Sequence, residues 1–223
     1  MFILRFGYRP AIISGIIFFF AALPFLKVNG FAGTDDGTLQ RITWLEEKAK
    51  VFHNKNQFDS ALFYYQELKE ACLNAGRYTD FLNTEINIAD LLILKQEHSR
   101  AREMLQKIES EIRATSSNPE ILASYLQVKG GYYLATGHLD SARYYLETSI
   151  VTRQKSTGEA DTLLRYAWNK LGNYYLRVGD FEAAQQCHQN ALNLSLLKKN
   201  KVNFQSASSY QNLGIAVHMQ GDY

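Results

Sequence analysis

The sequence predicts an all-α chain, a right-handed α-solenoid of stacked antiparallel helix pairs, and three observations predict it. An alanine closes the same four-residue pattern four times: Phe58-Asp59-Ser60-Ala61, His98-Ser99-Arg100-Ala101, Leu139-Asp140-Ser141-Ala142 and Phe181-Glu182-Ala183-Ala184. Those alanines lie 40, 41 and 42 residues apart, and a fixed period of that size marks an array of supersecondary units, each stacked on the next. Within a unit the apolar residues recur three and four apart, the spacing of one helix face. The composition agrees, since 46% hydrophobic residues and only three prolines suit packed helices and not a disordered chain. At 223 residues the chain exceeds the usual single domain, but a solenoid has no central core to outgrow.

The first element precedes the array. Arg5 and Arg9 lead into an apolar stretch from Ala11 to Leu26, interrupted only by Ser14, Gly15 and Pro24. Gly30-Phe31-Ala32 follows, and then the polar Gly33-Thr34-Asp35-Asp36. A charged start, an apolar middle and a small-residue cleavage site are the three parts of a secretory signal peptide. The apolar run of 16 residues falls between a typical signal and a full membrane span of about 20, so an uncleaved anchor stays open beside it. Residues 1–32 therefore read as a signal peptide or N-terminal membrane anchor, 33–39 as a linker and 40–223 as the repeat array. The array is expected to be exported to a periplasmic or extracellular space, or held at the membrane by the single N-terminal helix.

The units follow in order. Leu45, Ala49, Phe52 and Ala61 mark the first; Ala89, Leu92 and Ala101 the second. Ser116-Ser117-Asn118-Pro119-Glu120 reads as loop, N-cap and proline at the first helical position. The third unit then carries Leu126, Gly130, Tyr133, Gly137 and Ala142, and Ser156 to Asp161 forms the next loop. The fourth is clearest: Trp168, Leu171, Gly172 and Tyr175 share one helix face. Gly179-Asp180 breaks the pattern, glycine making the turn and aspartate offering an oxygen to the next helix's first N–H groups. Phe181, Ala184, His188 and Ala191 line the inner face of that second helix. Gly172 and Ala184 are small because the two helices approach closely. A fifth unit opens at Tyr210-Gln211-Asn212-Leu213-Gly214 and reaches the turn residues Gly221-Asp222-Tyr223. Because Tyr223 stands where Phe181 starts a helix, the array reads as four repeats plus the first helix of a truncated fifth.

Trp168, Leu171, Gly172 and Tyr175, with Gly179, Ala184 and Ala191, resemble the tetratricopeptide repeat, and the five units in register extend the resemblance over about residues 40–223. Two departures are plain. His188 stands where the family often has an aromatic residue, and Leu196 lies near the place of the usual closing proline. The common repeat has about 34 residues, so a period of 40–42 adds about one turn to each helix. Longer repeats of this kind are similar to those of kinesin light chain and of bacterial arrays that precede signalling or protease-like domains.

Composition and motif spacing exclude several function classes. Net charge is +2, but residues 1–32 hold Arg5, Arg9 and Lys27 with no acid, leaving the rest nearly balanced. No nucleic-acid-binding surface is expected, and Lys198-Lys199-Asn200-Lys201 reads as a solvated loop. The five histidines (His53, His98, His138, His188, His218) show no metal-ligand spacing, so no metal or other cofactor is expected. Lys129-Gly130-Gly131-Tyr132 is helix packing and not a phosphate cradle, and acid pairs such as Glu46-Glu47 are surface charges. The chain does not read as an enzyme. Cys72 and Cys187 lie in the first and fourth units, too far apart to bond in a solenoid, and are expected as free buried thiols. In the aromatic runs Phe63-Tyr64-Tyr65, Tyr132-Tyr133, Tyr144-Tyr145 and Tyr174-Tyr175, one residue of each run packs and another is left part-exposed.

Function then falls to the inner wall. The resemblance implies that the first helix of each pair lines a concave groove. On this chain those positions are Asn83, Ile86, Asp90 and Ile93; Ser124, Gln127, Gly131 and Leu134; Tyr166, Asn169, Asn173 and Leu176; and Ser208, Gln211, Ile215 and His218. Asn87 and Asn212 flank them. Asn83, Asn87, Asp90, Gln127, Asn169, Asn173, Gln211 and Asn212 form the candidate peptide-binding set, because amides donate and accept toward an extended backbone. Each such bond contributes about 0.5–1.5 kcal/mol net, so apolar pockets are needed as well. Asn169 stands where chaperone-binding members carry the first lysine of a carboxylate clamp, which argues against a C-terminal-carboxylate ligand. The expected function is a scaffold for a protein or extended-peptide partner, with self-association through the open C-terminal end as an option. The alternative is the sensory or regulatory part of a larger signalling protein: a membrane histidine kinase, a DNA-binding regulator or a caspase-like protease.

Overall fold

A computed structural model of the chain describes residues 35–115, 118–157, 163–196 and 204–221. The signal or anchor segment, the Lys198–Lys201 run, most of the Ser156–Asp161 loop and Tyr223 lie outside the described residues. Among the described residues there are nine helices and no strand: α1 (Asp35–Asn54), α2 (Phe58–Asn74), α3 (Tyr78–Leu94), α4 (His98–Ala114), α5 (Pro119–Thr136), α6 (Leu139–Thr157), α7 (Leu164–Val178), α8 (Phe181–Leu196) and α9 (Phe204–Gln220). None of these is long and apolar enough to cross a membrane. The solenoid is an array of antiparallel pairs, α1 with α2 through α7 with α8, each second helix also packing on the first helix of the next pair. One boundary differs from the sequence reading. The chain is helical from Asp35, so most of the expected 33–39 linker belongs to α1; Asp36 sits in its first turn, where negative charge is favourable, and accepts a 3.2 Å hydrogen bond from Gln40.

The turn inside each pair is one structure written with different residues. Asn56, Gln96, Gly137 and Gly179 all take positive φ, at 57°, 61°, 84° and 82°. The later units supply glycine there, which enters the left-handed region without a Cβ penalty, and the first two do without it. Asp180 Oδ1 accepts the Ala183 N–H at 3.0 Å, and Asn118 Oδ1 accepts the Glu120 N–H at 2.9 Å with Pro119 opening α5. Both caps are those the sequence indicates.

Within each pair a small residue faces a large one sixteen positions later: Ala49 and Tyr65, Ala89 and Leu105, Gly130 and Leu146, Gly172 and His188. All eight are buried. A Cβ built on Gly130 would meet Leu146 Cγ at 2.7 Å, and one on Gly172 would meet His188 Cε1 at 2.5 Å. The close approach at Gly172 is therefore to the His188 ring, and the glycine is required by that contact. Cys72 and Cys187 are free and buried, and burial pushes their thiols up to about 11 and about 12, far from thiolate chemistry at neutral pH.

Candidate functional site

The spacing of the helices decides where a groove lies. α3 touches α5, α5 touches α7 and α7 touches α9, whereas α2, α4, α6 and α8 do not pack on one another to that extent. The first helices of the pairs thus form the crowded inner wall, and the second helices fan out behind them. Every candidate residue belongs to one of these first helices: Asn83, Asn87 and Asp90 to α3, Gln127 to α5, Asn169 and Asn173 to α7, and Gln211 and Asn212 to α9.

Their surroundings divide the wall into two parts. At the second repeat it is closed. Ile86 and Ile93, which the register places in the groove, are only 2% and 7% exposed, because α3 is packed by α2, α4 and α5 together. Asp90 is half-buried and ion-paired to Lys170, two repeats away on α7. The ammonium crosses α5 over Gly131, where a Cβ would stand 2.9 Å from Lys170 Nζ. Lys170, Gly131 and Asp90 form a strap across the inner wall. His53 lies by this strap, its Nδ1 3.5 Å from the Tyr65 hydroxyl. Burial holds the imidazole below its ordinary range, Asp90 pulls it up and Lys170 pushes it down.

Asn169 faces another way from its neighbours in the set. Its Oδ1 is 3.2 Å from His188 Nδ1, so this amide serves the interface between α7 and α8. His188 is fully buried, its Nε2 has no hydrogen-bond partner among the described residues, and burial lowers its pKa to about 4. It is a neutral, packed imidazole that donates from Nδ1 to Asn169.

Beyond the strap the wall is open. Tyr166, Asn173, Gln211, Ile215 and His218 are exposed, and Asn212 is half-exposed beside them. Amides, one tyrosine face and one aliphatic side chain alternate along this stretch of α7 and α9. Asn83, Asn87 and Gln127 stay half-buried on the closed part. Lys170 escaped sequence reasoning altogether. The signal for it was faint: a glycine at position 131 on the inner wall, small enough to let a long side chain pass.

Comparison with known proteins bears on the same elements. The family model for the tetratricopeptide repeat matches residues 163–223, which cover α7, α8 and α9. The remaining pairs repeat that unit in the same register and packing. Residues 163–223 are thus tetratricopeptide repeat by sequence. The crystal structure of BtubC (BKLC) from P. vanneervenii is similar to this array with a TM-score of 0.55 at 16% identity, covering 85% of this chain and 68% of that one; at that identity the likeness concerns the fold. The crystal structure of MamA protein gives a TM-score of 0.44 at 17% identity, covering 82% of this chain and 84% of that one. No curated protein matches the sequence. Among the described residues, no group of three His, Cys, Asp or Glu side chains is placed to hold a metal ion.

Proposed function

We propose that this tetratricopeptide array is a protein-interaction scaffold whose ligand, an extended peptide segment, lies on the open part of the inner wall along α7 and α9. The observation that carries the reading is the exposed row Tyr166, Asn173, Gln211 and Ile215, continuous across two repeats and not consumed by packing. Asn173, Gln211 and Asn212 can each donate and accept toward a peptide backbone. Tyr166 supplies a flat apolar face, already stacked on one side by the Arg165 guanidinium 3.9 Å from its ring centroid, and Ile215 adds aliphatic surface. The strap at Asp90 and Lys170 ends this row, so the ligand runs toward the C-terminal repeats and not through the second.

The test uses the whole chain as bait for a displayed library of random peptides. Selected peptides are expected to bind wild type and to lose about tenfold or more against the Asn173→Ala, Gln211→Ala double variant, as two amide hydrogen bonds would give. Peptides that bind the double variant as well as the wild type, or a library that yields no binder, would remove this reading.

A further inference from the structure

The first repeat carries, uncovered, a side-chain cluster that the third repeat uses to hold a helix. In the interior, Tyr125 and Lys129 of α5 grip α4 through one carboxylate: the Tyr125 hydroxyl and Lys129 Nζ donate to Glu109 Oε2 at 2.9 and 2.8 Å. Behind them Lys129 lies over the Tyr145 ring at 4.7 Å, Tyr133 stacks on Tyr145 with centroids 5.4 Å apart, and Tyr144 meets Tyr145 edge-on. Ile108 and Ile112 of α4 complete the joint from the other side, both buried. Tyr125 is only 3% exposed.

The first repeat has the same five places, each 81 residues earlier: Trp44, Lys48, Phe52, Phe63 and Tyr64. Three of the contacts recur, and Trp44 meets Tyr64 edge-on at 5.8 Å on the side where Lys129 covers Tyr145 in the interior copy. Lys48 lies over the Trp44 ring at 5.7 Å, as Lys129 lies over Tyr125 at 5.3 Å. Phe52 stacks on Tyr64 at 5.3 Å and 7°, the counterpart of Tyr133 on Tyr145, and Phe63 meets Tyr64 edge-on. Here no helix of the described residues sits against the cluster. Trp44 is 50% and Phe63 57% exposed, and Lys48 makes no ion pair among the described residues. The second and fourth repeats have Thr84 with Ile88 and Ala167 with Leu171 at the gripping positions, so the cluster is not a general feature of the array.

We infer that this face of α1 and α2 is a second docking surface, and that its partner is an amphipathic helix of another protein presenting a carboxylate beside aliphatic residues one turn apart, as Glu109 stands between Ile108 and Ile112. The Lys48 ammonium and the Trp44 indole are neighbours on this face, and both carry donors without acceptor capacity, so they select an anion. The aromatic floor supplies the apolar area. Residues 1–34 contain no acid and neither does α9, so neither segment offers the carboxylate. The cluster is on α1 and α2 and the proposed peptide row on α7 and α9, so the two surfaces share no residue.

Full-length protein is titrated with a synthetic peptide of residues 98–114, the natural occupant of the interior copy, while tryptophan emission is followed in a Trp168→Phe background so that Trp44 reports alone. Saturable binding with a blue shift of Trp44 is expected, weakened about tenfold or more when the peptide carries Glu109→Gln or the protein carries Lys48→Glu. Pairing Lys48→Glu protein with a Glu109→Lys peptide is expected to restore binding. No saturable shift at millimolar peptide, or binding indifferent to both charge changes, would overturn the assignment.

Discussion

At the scale of single residues, His188 shows how a repeat position constrains chemistry. In the third repeat the same place is Leu146, which packs on Gly130 as His188 packs on Gly172. The fourth repeat thus puts a titratable ring where the geometry asks for an apolar one, and leaves its Nε2 without a partner among the described residues. Burial lowers its folded pKa to about 4 from an ordinary 6.5. Between those values the unfolded chain binds the proton and the folded chain refuses it. The contribution to stability is therefore fully present above pH 6.5 and is lost as pH falls toward 4. Thermal unfolding followed by circular dichroism between pH 7 and pH 4 is expected to show a steeper fall in wild type than in His188→Leu. Equal slopes would mean that the ring is solvated. His53 titrates in the same sense and persists in both proteins.

At the scale of elements, the strap is the interaction least accessible to local rules. Asp90 on α3 and Lys170 on α7 are 80 residues apart in sequence and meet only because α5 between them offers Gly131. Their side chains are 18% and 23% exposed, so the pair is partly shielded and breaking it leaves a part-buried charge behind. Lys170→Met and Asp90→Asn are each expected to destabilise by about 1–3 kcal/mol, with the double variant losing less than the sum. Urea unfolding of the four proteins measures this directly. Strict additivity would show that the two groups do not cooperate. The same strap marks where the inner wall turns from closed to open, which makes it a structural limit of the proposed groove.

At the scale of the whole molecule, a solenoid has stability that varies along its length, since each repeat is supported only by its neighbours. α3 has ten buried residues, including Leu82, Ile86, Leu91 and Leu92, and is packed by three other helices. α9 has one buried residue among those described, Ala216. Amide hydrogen exchange read by mass spectrometry is expected to be slowest in α3, intermediate in α5 and α7, and fastest in α9. Uniform protection along the chain would point to a single cooperative unit in place of a graded array. The open part of the inner wall thus lies toward the less protected end, where a ligand ordering α9 against α7 would raise protection locally.

Much of this protein was legible before any coordinates. The alanine period, the turn residues at Gly137 and Gly179, the Asn118 and Asp180 caps and the unbonded cysteines all follow from rules that act within about one repeat, so spacing alone determines them. The candidate groove was legible only as a register. Which wall positions stay open depends on how far neighbouring repeats lean together, and no local pattern encodes that. Ile86 and Ile93 close, Asn169 turns inward to His188, and Tyr166 and Asn173 remain outside. The duplicate of the Glu109 grip at Trp44 and Lys48 was likewise written in the sequence but unreadable there, because a lysine beside an aromatic residue has no meaning until a packed copy shows what it holds. Sequence determined the repeating unit, since its forces are short-ranged along the chain. Only tertiary structure decided which copies of that unit are buried and which are left facing outward, since that depends on contacts between neighbouring repeats and, at the strap, between residues two repeats apart.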